Sequence, residues 1–64
     1  MNVSAIRDCI VNYQRTHQVP DWEMCEALDM SEGQWQQYKN SYAFALTIYQ
    51  QIMFMAYAET PLPD

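Results

Sequence analysis

Apolar residues stand at Val3, Ile6, Ile10 and Tyr13, at intervals of three, four and three, with Cys9 and Val11 flanking them. That spacing paints one face of a helix over residues 3 to about 17, with Ser4 or Asn2 as its N-cap. Pro20 ends the pattern, because it pushes Val19 out of helical backbone and itself suits the start of the next helix. Asp21 is the expected cap of a short second helix. Glu23 lies in its first turn, at the positive end of the dipole, and Trp22, Met24, Cys25 and Leu28 are its apolar positions. Trp22 is expected to be partly buried against the first helix. Asp29 is a break and Met30 a buried turn residue, after which Ser31 caps a third helix running through Trp35 and Tyr38 to about Lys39. Its polar or small positions, Glu32, Gly33, Gln34, Gln36, Gln37 and Lys39, should face out.

Residues 42–58 are apolar except for Thr47, Gln50 and Gln51, and read as one last helix. Ala45, Ile48, Tyr49, Ile52 and Ala56 form one stripe, Leu46, Met53 and Tyr57 form a second, and Phe44, Phe54 and Met55 remain to be placed. One face suffices to pack on the preceding helices. The surplus is expected at a two-fold dimer interface, with Leu46, Met53, Phe54 and Tyr57 as its candidates. The segment falls short of the roughly 20 apolar residues that span a bilayer, so no membrane partner is expected. With Pro61 and Pro63, residues 59–64 read as a flexible tail. The pattern predicts an all-α domain of four or five helices over residues 1–58.

A chain of 64 residues buries only about 60% of the surface its unfolded form exposes, so a lone core is marginal. Cys9 and Cys25 allow at most one disulfide, and with His17 they show no zinc-site spacing. A partner is the expected supplement. Residues 1–8 lack the basic start and apolar run of a signal peptide, which predicts a cytoplasmic chain whose two thiols are reduced, small hydrophobes. His17 is read as a charge partner for the end of the first helix. No Ser or Cys nucleophile comes with a His and an acid at a motif spacing, so neither an enzyme, a cofactor nor a small-molecule substrate is expected.

The run Trp22-Glu-Met-Cys-Glu-Ala-Leu-Asp-Met-Ser-Glu-Gly-Gln-Trp-Gln-Gln-Tyr-Lys-Asn-Ser41 resembles the helix-turn-helix of lambda-repressor-like (Cro/cI-type) regulators. Cys25 stands at the family's small position, Leu28 and Met30 match the buried pair around the turn, and Asp29 replaces the turn glycine. Ser31 matches the cap of the recognition helix, Trp35 and Tyr38 match its buried positions, and Asn40-Ser41 replaces Asn-Gly. With Ile6, Ile10 and the apolar last helix, the likeness extends over roughly residues 3–57.

What the resemblance implies is a small dimeric regulator of transcription, of the kind phages and mobile elements carry, whose third helix (31–40) enters the major groove. Glu32, Gln34, Gln36 and Gln37 would meet base edges, with Lys39, Asn40, Ser41 and Tyr42 at phosphates. The charge balance points elsewhere. Eight acids face three Lys/Arg, a net charge of -5, and Arg7, Arg15 and Lys39 are the only permanent cations. Such a chain is not expected to bind DNA tightly without sequence preference. Glu23, Glu26, Asp29 and Glu32 make an acidic partner surface. The alternative is therefore an inhibitor or anti-repressor that keeps the fold and binds a regulator or other DNA-binding protein.

Overall fold

The computed structural model describes residues 3–41 and 44–63, in which four helices and no strand occur. Helix α1, Val3–His17, buries Ile6 and Ile10, with Tyr13 half-buried on the same side. Ser4 lies inside this helix and does not cap it; Asn2 is outside the described residues. Gln18 takes the left-handed conformation (φ 54°) after the last turn. The Val19 N–H then closes the helix on the Gln14 carbonyl at 3.0 Å.

Helix α2, Asp21–Leu28, starts one residue earlier than its sequence suggests, with Pro20 as N-cap. The Pro20 carbonyl accepts the N–H groups of Glu23 and Met24 at 3.1 and 3.2 Å. Proline loses no donor at this boundary, and Asp21 is left free to bond elsewhere. Met24, Ala27 and Leu28 face inward. Trp22 precedes Met24 by two positions, about 200° around the helix, and is 61% exposed rather than packed on α1.

Asp29 ends α2 in left-handed backbone (φ 51°, ψ 55°), a conformation that Asp tolerates better than most residues. The Met30 N–H returns to the Cys25 carbonyl at 3.0 Å, and the Met30 side chain joins the core. Ser31 caps α3, Glu32–Asn40, through a capping box: its hydroxyl accepts the Gln34 N–H at 3.2 Å and its own N–H donates to Gln34 Oε1 at 3.0 Å. Trp35 and Tyr38 are fully buried, as their spacing predicts.

The continuous helix expected over 42–58 is shorter. Helix α4, Ile48–Ala58, begins after Thr47, whose extended backbone and capping box with Gln50 define its start. Phe44 to Thr47 lead into it without helical structure, and Tyr42 and Ala43 are outside the described residues. The break changes the phase of the apolar stripes. Leu46 enters the core from the lead-in and Phe54 is the buried side chain of α4, so both are core residues and not interface candidates. Met53 and Tyr57 are half-buried, while the stripe of Ala45, Ile48, Tyr49, Ile52 and Ala56 faces out.

Helix α2 packs on both α3 and α4, and α1 packs on α3. The core is Ile6, Ile10, Met24, Leu28, Met30, Trp35, Tyr38, Leu46 and Phe54, and Leu62 of the expected tail packs against it. The buried Tyr38 hydroxyl has no hydrogen-bond partner among the described residues. Burial pushes this phenol up to about 12. Tyr38→Phe should leave stability unchanged or raise it by up to about 1 kcal/mol, because it removes a desolvated group and keeps the ring. A thermal melt checks this, and a clear loss would mean that the hydroxyl has a partner.

Candidate functional site

Three helices meet at one carboxylate. Asp21, the first residue of α2, accepts on Oδ1 from Gln14 Nε2 of α1 at 2.6 Å, Trp35 Nε1 at 2.8 Å and Lys39 Nζ at 3.1 Å. Its Oδ2 accepts from Gln36 Nε2 at 3.0 Å and Lys39 Nζ at 3.2 Å. The Gln14 bond, then those of Trp35 and Lys39, hold the carboxyl well below the usual carboxylate range, against a smaller opposing effect of burial. Gln36 and Lys39 are consequently half-buried, where an outward placement was expected. No sequence pattern marks this hub, since its members are scattered from position 14 to position 39.

The hub decides what α3 presents. Of the residues assigned to DNA contact, Gln36 and Lys39 turn toward Asp21, while Glu32, Gln34, Gln37 and Asn40 lie at the surface. Gln34 Oε1 is committed to the Ser31 cap, and Asn40 Nδ2 donates to the Gln36 carbonyl at 2.9 Å. Gln37 is exposed and takes part in neither network. Beside it, a Cβ added at Gly33 would meet nothing within 4 Å, so no neighbour requires glycine in a helix it weakens by roughly 1 kcal/mol.

The cations are engaged within the protein. Lys39 is paired with Asp21 and lies 5.8 Å from the centre of the Trp35 ring. Arg7 donates to Asp8 and to the Lys39 carbonyl, both at 2.6 Å, and Arg15 donates to Asn12 at 2.8 Å.

The four acids do not form one surface of equal character. Glu26, Asp29 and Glu32 are exposed around the α2–α3 turn. Glu23 is half-buried and accepts from the Tyr57 hydroxyl of α4; that bond, with burial, pushes the Tyr57 phenol up to about 12. Glu32 accepts from the Cys25 thiol at 3.6 Å and from Gln36 at 3.4 Å, and burial pushes the Cys25 thiol up. Cys9 and Cys25 are free and half-buried. His17 stacks on Tyr13 at 4.1 Å at the end of α1.

An open recess of about 360 Å³ beside the turn is lined by Cys25, Glu26, Asp29, Met30, Ser31 and Gln34. Among the described residues no cluster of three or more His, Cys, Asp or Glu could hold a metal ion. Nor is any helix there long and apolar enough to cross a membrane. The chain matches no family model, no curated protein and no solved structure.

Proposed function

We propose that this chain is a small, non-enzymatic helix-turn-helix regulator of gene expression that meets its target through the outer face of α3. The observation that carries this reading is the α2–α3 unit. A left-handed Asp29, a buried Met30 and a capped Ser31 fix the two helices, and Trp35 and Tyr38 anchor the inner side of α3. Glu32, Gln34, Gln37 and Asn40 are left facing out. In a major groove a glutamine amide bonds the adenine edge in a bidentate way and a glutamate accepts from cytosine N4. The bare backbone at Gly33 allows close approach.

With Lys39 held by Asp21, few phosphates are neutralised. Binding should depend weakly on salt, with a log–log slope of magnitude about 2 or less. Gel-shift titration on the DNA upstream of the coding sequence tests the reading, and Gln37→Ala should weaken binding about tenfold or more with the helical spectrum unchanged. Absence of a shift even at low salt would overturn the DNA mode.

A second reading is favoured by the same charge arrangement. In it the exposed Glu26, Asp29 and Glu32 dock on the basic face of another DNA-binding protein, and the chain acts as an inhibitor or anti-repressor. Glu26→Lys separates the two, since a reversed charge beside α3 tightens DNA binding in the first and weakens the complex in the second.

A further inference from the structure

We propose that Gln34 selects guanine, and not the adenine a glutamine ordinarily prefers, at the base pair next to the one Gln37 reads. The inference rests on the DNA reading above and adds which base each of the two amides accepts. What each glutamine is already bonded to makes the difference.

The cap that starts α3 orients the Gln34 amide. A backbone N–H needs an acceptor, so the Ser31 N–H draws in the amide oxygen at 3.0 Å and leaves the NH2 group outward. The reverse orientation would set one donor against another. The bond is half of a capping box, and the other half, from the Gln34 N–H to the Ser31 hydroxyl at 3.2 Å, holds the same turn. Gln34 is exposed, and its Nε2 has no partner among the described residues. It therefore meets a target as a donor only. Gln37 is also exposed, with neither end of its amide bonded among the described residues, and offers a donor and an acceptor together.

Base edges tell these two amides apart. In the major groove guanine presents two adjacent acceptors, O6 and N7, while adenine sets the N6 donor beside its N7 acceptor. An outward NH2 group fits the guanine pair and meets a like donor at adenine N6. To take adenine in a bidentate way, Gln34 would have to give up its bond to Ser31. Guanine should therefore be favoured over adenine by about tenfold at this position. Gln37 carries no such commitment and keeps the adenine preference.

Helix geometry sets the spacing. Gln37 follows Gln34 by three residues, about 60° around α3 and about 4.5 Å along it, close to the roughly 3.4 Å between neighbouring base pairs. Glu32 stands two positions before Gln34, nearly opposite it around the helix. Its carboxylate oxygens accept from the Cys25 thiol and from Gln36, so that charge is directed away from the base Gln34 meets.

Selection of bound sequences from a randomised duplex DNA library by the full chain tests the proposal. The expected site has guanine and adenine at neighbouring base pairs. Gln34→Glu keeps an acceptor for the Ser31 N–H and withdraws the donor, so cytosine, whose N4 donates, should replace guanine while the adjacent adenine stays. Gln34→Met adds no charge and serves as the second variant should the glutamate prevent enrichment; it should erase the preference at that position alone. Each result is a base preference within one bound pool, independent of overall affinity. Adenine at the position that responds to Gln34→Met, or a site in which no base responds to either substitution, would overturn this inference and leave the DNA reading standing. A native chain that enriches no sequence would overturn both.

Discussion

Phe54→Ala should lower the stability of the fold by about 3–5 kcal/mol, enough to unfold much of the population. A chain of 64 residues has only about 3–10 kcal/mol in hand at the usual stability per residue. Phe54 is fully buried and is the buried side chain of α4. Its ring meets Tyr13 of α1 edge-on, with centroids 5.3 Å apart at 83°, and lies 6.2 Å from Tyr57. Removing the ring leaves a cavity where α1, α2 and α4 converge. Urea denaturation at two protein concentrations is the measurement. The loss should be the same at both, because Phe54 belongs to the core of one chain; a residue that contributed only between chains would show a loss that depends on protein concentration. Ile52→Ala is the control, expected within about 0.5 kcal/mol in dilute solution, since that side chain lies more than half in water.

The contrast between Phe54 and Ile52 shows how far the sequence pattern reaches. Where local chemistry and periodicity agree, elements can be read closely. The three-four-three spacing in α1, the Asp29 break, the Ser31 cap and the inward Trp35 and Tyr38 all follow from interactions within a few residues. The last segment resisted because its hydrophobicity runs almost all the way round, so periodicity alone cannot choose the buried face. The deciding signal was short and polar. Thr47 followed three residues later by Gln50 is a capping box, and it starts a helix in the middle of what reads as one apolar run. Once the helix begins at Ile48, Leu46 leaves its helical phase and the stripe that includes Ile48, Tyr49 and Ile52 turns outward.

The candidate site was legible only in its outline. The exposed places of Glu32, Gln34, Gln37 and Asn40 follow from the burial of Trp35 and Tyr38 on the other side of the same helix. What Gln36 and Lys39 do depends on Asp21, 15 and 18 residues away, and such a contact has no local signature. An acid in the first turn of a helix is ordinarily explained by the dipole, and that explanation conceals the other role this one has taken.

Asp21→Asn should cost about 2 kcal/mol and change what Lys39 can reach. Hydrogen bonds to a charged acceptor contribute roughly 1.5–3 kcal/mol, and the value here is moderated because 32% of the Asp21 side chain is open to solvent. Asparagine keeps one carbonyl oxygen but turns an amide NH2 toward the donors of Gln36 and Lys39, where nothing accepts. The pH dependence carries the same signature. The folded state holds this carboxyl below its ordinary 3.8, so on acidification the unfolded chain takes up the proton first. The stabilisation is complete above about pH 5 and drains away as the pH falls through 4 toward the depressed folded value. Melts between pH 7 and pH 3 should therefore show a steeper acid loss for the native chain than for the asparagine variant; equal slopes would mean that Asp21 is not the group responsible. The same substitution releases the Lys39 ammonium and brings the net charge from -5 to about -4. If α3 reads DNA, the variant should bind several-fold more tightly at low salt, with the log–log slope steepened by about one. Unchanged affinity in a folded variant would place Lys39 away from the phosphates and favour the acidic, protein-binding mode.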